Sequence, residues 1–215
     1  MDYAFHDIRH IVQAYLDDLP VHSKKRPNHL AHLKQIFARC RFYNIRLNPH
    51  KYVFMVKSRR LLGFIVSKHG IRVDPNKVRA IVELPAPQSI LQLQRLQGKE
   101  NFLRRFIVNY AEMTKGFMRL LKKGTLYLWD EQAQRSFDAL KHALVSAPLL
   151  SAPDYSRDFL LYLAASPSSL GMVLVQVHND DSEHVINYLS KGLIRPKIRY
   201  SHVEKISLAV VFAAT

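Results

Sequence analysis

Two adjacent carboxylates, Asp17 and Asp18, stand between apolar runs, Ile11-Val12 on one side and Leu19 to Val21 on the other. Apolar residues around a two-residue polar step predict two short strands with this pair at the hairpin tip. Carboxylates paired there repel each other unless a divalent cation lies between them. Mg²⁺ takes a few hard oxygen ligands together with phosphate oxygens, so the pair is a candidate half-site for phosphoryl transfer. The same residues also read as an ordinary turn, in which Asp is common because it hydrogen-bonds its own backbone.

Charge narrows the choice. Residues 19–123 carry 23 Lys and Arg against four acids, a net of +19, whereas residues 1–18 and 124–215 are close to neutral at −3 and −1. A basic block between near-neutral ends suggests a polyanion-binding surface, with a generally solubilising surface as the plain alternative. Hydrophobic residues make up 48% of the 215, enough for a sizeable core. The single Cys40 excludes an internal disulfide and a multi-cysteine zinc site, which fits a reducing compartment. No apolar run reaches the roughly 18 residues that a membrane span needs, and Met1-Asp2-Tyr3 lacks a signal-peptide layout. The expectation is a soluble intracellular protein, in cytoplasm or nucleus, with no membrane partner.

Along the chain, Asn28 is a candidate N-cap, and Leu30, Leu33, Ile36, Phe37 and Cys40 predict an amphipathic helix over 29–44. His29 and His32 lie three apart on it, without a third ligand that would make them a metal site. Tyr52 to Val56 and Leu61 to Val66 read as strands, the latter turned by His69-Gly70 into Ile71-Arg72-Val73. Gly63 inside a strand suggests a backbone that something approaches closely. Asp74-Pro75 starts a helix running to Leu84, and Ser89 caps another through about Gln97. A basic segment from Lys99 to Val108 contains Arg104-Arg105-Phe106. A further helix from Ala111 ends in Lys122-Lys123, favourable at a C-terminus. Trp129-Asp130 starts a helix with an apolar stripe of Ala133, Phe137, Leu140 and Leu144. Phe159–Leu163, Met172–Val175 and Val185–Leu189 read as strands, punctuated by Gly171 and Asn179-Asp180-Asp181. Val203 to Ala214 is a final helix.

This order of motifs resembles a gypsy-class LTR retrotransposon polyprotein of the type common in plant genomes. The resemblance rests on the Tyr15-Leu16-Asp17-Asp18 hairpin, Arg46-Leu47-Asn48-Pro49, Leu62-Gly63-Phe64-Ile65-Val66 and Leu96-Gln97-Gly98. It continues through Asn101 to Ile107, Leu120 to Gly124, Trp129-Asp130 and the Pro196 to Val211 region, and so covers essentially the whole chain. It implies an α+β fold: the C-terminal part of a reverse-transcriptase palm with a helical thumb, then a truncated ribonuclease H-like α/β domain. The implied divisions are 1–73 partial palm with primer grip, 74–123 thumb, 124–158 connection and 159–215 ribonuclease H-like domain. Asp17 and Asp18 match the palm's second metal-binding motif, with Mg²⁺ as the implied cofactor. RNA–DNA hybrid or duplex is the implied partner, held by Lys99, Arg104, Arg105, Lys122, Lys123 and the backbone at Gly63. Other polyprotein segments are further implied partners.

Departures from the family pattern bear on activity. The third palm Asp and the fingers fall upstream of Met1 in the family order. Pro20 removes a ladder donor after the hairpin. The first ribonuclease H Asp falls at Ala164 and its catalytic Glu at Ile206, and hydrocarbon side chains cannot ligate Mg²⁺. Nearby Glu204 lies at a different azimuth on its helix. The expectation is a fragment that is inactive alone yet binds nucleic acid. The alternatives are a piece completed by a separate fingers-bearing chain, or a pseudogene product without biochemistry.

Overall fold

The structure is a computed structural model that describes residues 2–15, 18–54, 56–179 and 181–214. The chain divides into two compact units, Met1–Met55 and Val56–Thr215.

In the first unit, helix α1 (Asp2–Phe5) and helix α2 (His29–Phe42) enclose a small core of Phe5, Ile8, Ile11, Val12, Ile36 and Cys40. Ile36 and Cys40 are four apart, so they share the inward face of α2. Asn28 does not cap this helix with its side chain. It lies in a 3-10 turn, Arg26–Asn28, that runs straight into α2. Instead the loop is tied down by Ser23, whose Oγ lies 3.0 Å from His29 Nδ1 and 2.7 Å from His32 Nδ1. One hydroxyl carries one proton, so one of these imidazoles must donate to it.

The predicted hairpin forms, one residue out of register. Tyr15 and Asp18 exchange both backbone hydrogen bonds at 2.9 Å, which places Asp18 at the start of the return strand rather than at the tip. Asp17 lies outside the described residues. The second bridge pairs Val12 with Val21, and Gln13 N donates to the Pro20 carbonyl at 3.2 Å. Pro20 accepts but has no N–H to return, so the pairing consists of isolated bridges. Residues 52–54 are irregular rather than a strand, and Phe54 instead sets its ring 6.2 Å from Phe37 of α2. Met55 lies outside the described residues.

The second unit opens with an antiparallel sheet, β1 (Ser58–Leu61), β2 (Phe64–Ser67) and β3 (Gly70–Val73). What the sequence presents as one strand across Leu61–Val66 is two strands folded on Leu62-Gly63. Both turn residues have positive φ, 52° and 82°, the geometry of a two-residue turn that matches strand twist. The close approach at Gly63 comes from within the chain: a Cβ there would sit 3.2 Å from the Phe102 ring.

Helices α3 (Pro75–Val82) and α4 (Ile90–Glu100) follow, capped as predicted. Asp74 Oδ1 accepts from Asn76 N, and Ser89 Oγ from Gln92 N. The segment Asn101–Phe106 is 3-10, and α5 (Tyr110–Met113) and α6 (Lys115–Met118) are single turns leading to another 3-10 turn at Arg119–Leu121. Lys122 and Lys123 therefore lie beyond the last turn and not on the end of a long helix. In α7 (Glu131–Val145) the stripe Ala133, Phe137, Leu140 and Leu144 is buried, and Asp130 caps it by accepting from Ala133 N at 2.9 Å. Burial of these side chains stabilises the unit by roughly 1.5–3 kcal/mol for each of the larger ones.

A second antiparallel sheet follows in the order β4 (Leu160–Ala165), β5 (Ser169–Val177) and β6 (Glu183–Gly192). Gly171 does not punctuate this sheet. It sits inside β5, opposite Ala164, where a Cβ would lie 2.7 Å from Asn109 Oδ1. The short α8 (Arg195–Ile198) leads to α9 (His202–Ala214), which covers β4 and β5 through Leu163, Leu170, Met172, Leu208, Ala209 and Phe212.

The Leu62-Gly63 turn yields a direct test. Gly63→Ala should cost about 1–2 kcal/mol through positive φ and the Phe102 ring, whereas Leu62→Asn should stabilise by roughly 0.5 kcal/mol. Urea unfolding of the three chains measures both changes, and an unaffected Gly63→Ala would rule out this turn geometry.

Candidate nucleic-acid interface

Register determines which cations share a face. Arg60 pairs with Ile65, and Ile65 with Arg72, so the three form one cross-strand row. The neighbouring row, Leu61, Phe64 and Val73, lies on the opposite face, where Phe64 and Val73 join the main core. Arg60 and Arg72 are thereby exposed. Arg60 Nε lies 3.4 Å from Asp74 Oδ2, so the carboxylate that caps α3 also steadies this arginine. On α4 the residues Leu93, Leu96 and Glu100 face inward, which leaves Arg95 and Lys99, four apart, on the exposed face. Sequence reasoning missed Arg60, Arg72 and Arg95. The strand alternation carries the signal for the first two, but only once the turn is placed at 62–63.

The other candidates differ in access. Lys99, Lys122 and Lys123 are exposed. Arg104 is half-buried, stacks 5.1 Å over the Tyr110 ring and donates from Nη1 to Asn101 Oδ1 at 3.1 Å. Arg105 is half-buried and its Nε is buried without a hydrogen-bond partner. These two arginines are built into the helical layer, whereas the three lysines reach solvent.

Of the four acids of the basic block, Asp74 and Glu100 are buried, whereas Glu83 and Glu112 are exposed and each lies beside a basic neighbour. Asp74 caps and pairs as described, and Glu83 Oε1 lies 3.9 Å from Arg79 Nε. Glu112 receives hydrogen bonds from the hydroxyls of Ser166, Ser168 and Ser169, with Lys115 Nζ at 3.5 Å. Burial acts to raise Glu112, but the serine hydrogen bonds and Lys115 outweigh it and hold the carboxyl below its usual range. Glu100 is fully buried and accepts from the Tyr110 hydroxyl at 2.6 Å, while its second oxygen has no partner. Desolvation pushes it up to about 7, against the opposing Tyr110 hydrogen bond and the nearby Arg104. Residues 56–123 therefore expose more cations than anions, with Glu83 and Glu112 as the exposed acids.

The carboxylate positions give a different picture. Asp18 is exposed at the start of its return strand, and among the described residues no group of three or more His, Cys, Asp or Glu is placed to hold a metal ion. Ala164 is exposed on β4 and Ile206 half-buried on α9, two elements that pack together. Their hydrocarbon side chains do not fit Mg²⁺. Glu204 is committed elsewhere: its Oε2 accepts from Ser201 N at 2.7 Å, and Ser201 Oγ accepts from Glu204 N at 3.3 Å, a capping box at the start of α9. Two positions along a helix turn it about 200° from Ile206. Among the described residues no helix is long and apolar enough to cross a membrane.

Residues 1–66 match the family of reverse transcriptase (RNA-dependent DNA polymerase), and residues 129–215 match the RNase H-like domain found in reverse transcriptase. The Retrovirus-related Pol polyprotein from transposon 297 of Drosophila melanogaster is 34% identical over 202 residues, covering 93% of this chain and 18% of that protein. The Transposon Tf2-3 polyprotein of Schizosaccharomyces pombe is 29% identical over 202 residues, covering 94% and 15%. The chain thus spans less than a fifth of the length of these curated relatives. Among solved structures, a foamy viral protease–reverse transcriptase in complex with double-stranded DNA superposes with a TM-score of 0.87 at 20% identity, over 99% of this chain and 37% of that one. The same viral protein with RNA/DNA hybrid gives 0.84, over 99% and 29%. The fold is therefore that of a reverse transcriptase joined to an RNase H-like domain. The chain is a section of sequence related to retrotransposon polyproteins.

Glu100 predicts a pH dependence. Its native carboxyl titrates above the 4.5 of an unperturbed Glu, so the stability of a protonated Glu100 is lost as pH rises from about 4.5 to about 7. Glu100→Gln should gain on wild type across that window, by up to roughly 3 kcal/mol. Chemical unfolding at a series of pH values measures it, and parallel stability curves would refute the assignment.

Proposed function

We propose that this chain is the template–primer-holding section of a gypsy-class, plant-type LTR retrotransposon reverse transcriptase, with an RNase H-like domain that no longer cuts. The carrying observation is the exposed set of cations in residues 56–123, Arg72, Arg95, Lys99, Lys122 and Lys123, with Arg60 beside them, against four acids of which Asp74 and Glu100 are buried. The duplex and hybrid held by the foamy viral neighbours support nucleic acid as the ligand. Residues 1–73 would then act as partial palm and primer grip, 74–123 as thumb, 124–158 as connection and 159–215 as the RNase H-like domain. Arg104 and Arg105 support the phosphate-facing surface from within, and Gly63 shapes the grip turn. Asp17 and Asp18 are the residues that would hold Mg²⁺ at the palm. Such a metal would neutralise charge on a transferring phosphate.

Loss of cutting rests on Ala164 and Ile206, neither of which can bind a metal. Incubated with an RNA–DNA hybrid and Mg²⁺ or Mn²⁺, the chain should leave the RNA intact, and metal-dependent release of RNA fragments would refute this half of the reading.

Binding has a separate test. Phosphate contacts release counterions, so affinity for blunt duplex or hybrid should fall with salt at a log–log slope of about −0.9 per phosphate neutralised. Changing Lys99, Lys122 and Lys123 together to Ala should make that slope shallower by roughly two to three and weaken all sequences alike. Fluorescence anisotropy across a salt titration reads both. An unchanged slope would leave these lysines as solvated surface.

A further inference from the structure

We propose that the first compact unit carries a platform for single-stranded nucleic acid, distinct from the duplex surface of the second unit and argued independently of it. Four rings run in contact across that unit. His6 stacks on Tyr3 with centroids 6.1 Å apart and planes at 22°, and Tyr3 meets Tyr43 edge-on at 6.1 Å and 82°. Tyr43 in turn meets Phe42 edge-on at 4.9 Å and 84°. Tyr3 is 78% exposed and Phe42 77%. Scattered exposed apolar residues need no explanation, but a continuous run of rings open at both ends is a surface whose burial would be favourable.

The framework beneath the rings is fixed. Arg39 donates from Nη2 to Asp7 Oδ2 at 2.6 Å, tying the segment after α1 to α2, and this bond holds the Asp7 carboxyl below its usual range. The rings on the two segments are thus set against each other before any ligand arrives.

Charge selects the ligand. Residues 19–55 contain eight Lys and Arg and no Asp or Glu. On α2, Lys34 and Arg41 lie on the exposed face opposite Ile36 and Cys40, and Arg41 directly precedes Phe42. An acidic protein would satisfy the cations but has no use for the rings. Base pairs within a duplex keep their faces stacked on each other. Unpaired bases offer both a face for each ring and a phosphate for each cation, which is how sequence-tolerant single-strand binders work.

The test uses the full chain, labelled oligo-dT or oligo-rU, and a blunt DNA duplex, read by fluorescence anisotropy. Tyr3→Ala with Phe42→Ala should weaken oligo-dT binding roughly tenfold or more and leave duplex binding little changed. Phe42→Trp should retain single-strand affinity, because it keeps a face to stack on. Lys34→Ala with Arg41→Ala should make the single-strand salt slope shallower by roughly one to one and a half. The Lys99, Lys122 and Lys123 variant should do the opposite, losing duplex and keeping oligo-dT, which separates this proposal from the duplex reading. Three results would overturn it: unaltered oligo-dT affinity in the folded ring variant, an equal loss for duplex and single strand, or displacement of oligo-dT by poly-glutamate as effective as by unlabelled oligo-dT.

Discussion

Burial of the α7 stripe is the interaction around which the second unit is assembled. Phe137 sits at its centre, with Phe117 edge-on at 6.4 Å and Trp129 edge-on at 5.8 Å. The surrounding core takes Val73 from the first sheet, Ile81 from α3, Leu93 and Leu96 from α4, and Leu103 and Phe106 from the turn that follows. Each of those elements is too short to fold alone, since an isolated helix shorter than roughly 12–15 residues is marginal in water without tertiary support. Leu150 then joins the two sheets. It exchanges backbone hydrogen bonds with Ile71 at 2.7 and 2.9 Å, and the next residue, Ser151, donates to Val185 of β6 at 2.7 Å. The first sheet, the short helices and the second sheet are parts of one packed body.

That packing also shapes the charge distribution. A block carrying +19 over 105 residues repels itself, and its few acids would ordinarily sit on the surface as counterweights. Here two of the four are buried, Asp74 in a helix cap and Glu100 against the Tyr110 hydroxyl, while Glu112 is held in a hydroxyl cluster and Glu83 stays at the surface beside Arg79. The Glu112 cluster also has a mechanical role. It fastens α5 to the Ser166–Ser169 turn between β4 and β5, while Ser190 Oγ accepts from Ala111 N at 3.0 Å. Glu112 and Ser190 together lock the helical layer to the second sheet.

The RNase H-like domain is built around one sheet and one covering helix. The sheet keeps its three-stranded order and α9 covers it with Leu208, Ala209 and Phe212, while hydrocarbon occupies Ala164 and Ile206. On β6, Val185 and Tyr188 pack against the main core.

Much of this was legible in the sequence by itself. The 3.6-residue period fixed α2 and the α7 stripe. Asp74, Ser89 and Asp130 marked helix starts through the local hydrogen bonds their oxygens make, and apolar runs marked all three strands of the second sheet. These signals are local, carried by residues within a turn or two of each other. Tertiary structure decided the rest. Leu62 adopts positive φ, which sequence disfavours, because Phe102 packs beside the turn it makes with Gly63. Residues 52–54 have strand composition yet no ladder, since Phe54 finds its partner on α2. The helix expected from Ala111 to Lys123 breaks at Thr114, where α5 is held by serines more than fifty residues away. Register, more than composition, brought Arg60 and Arg72 onto one face. Pairings between residues distant in the chain depend on which surfaces are left to bury, and no local pattern encodes that.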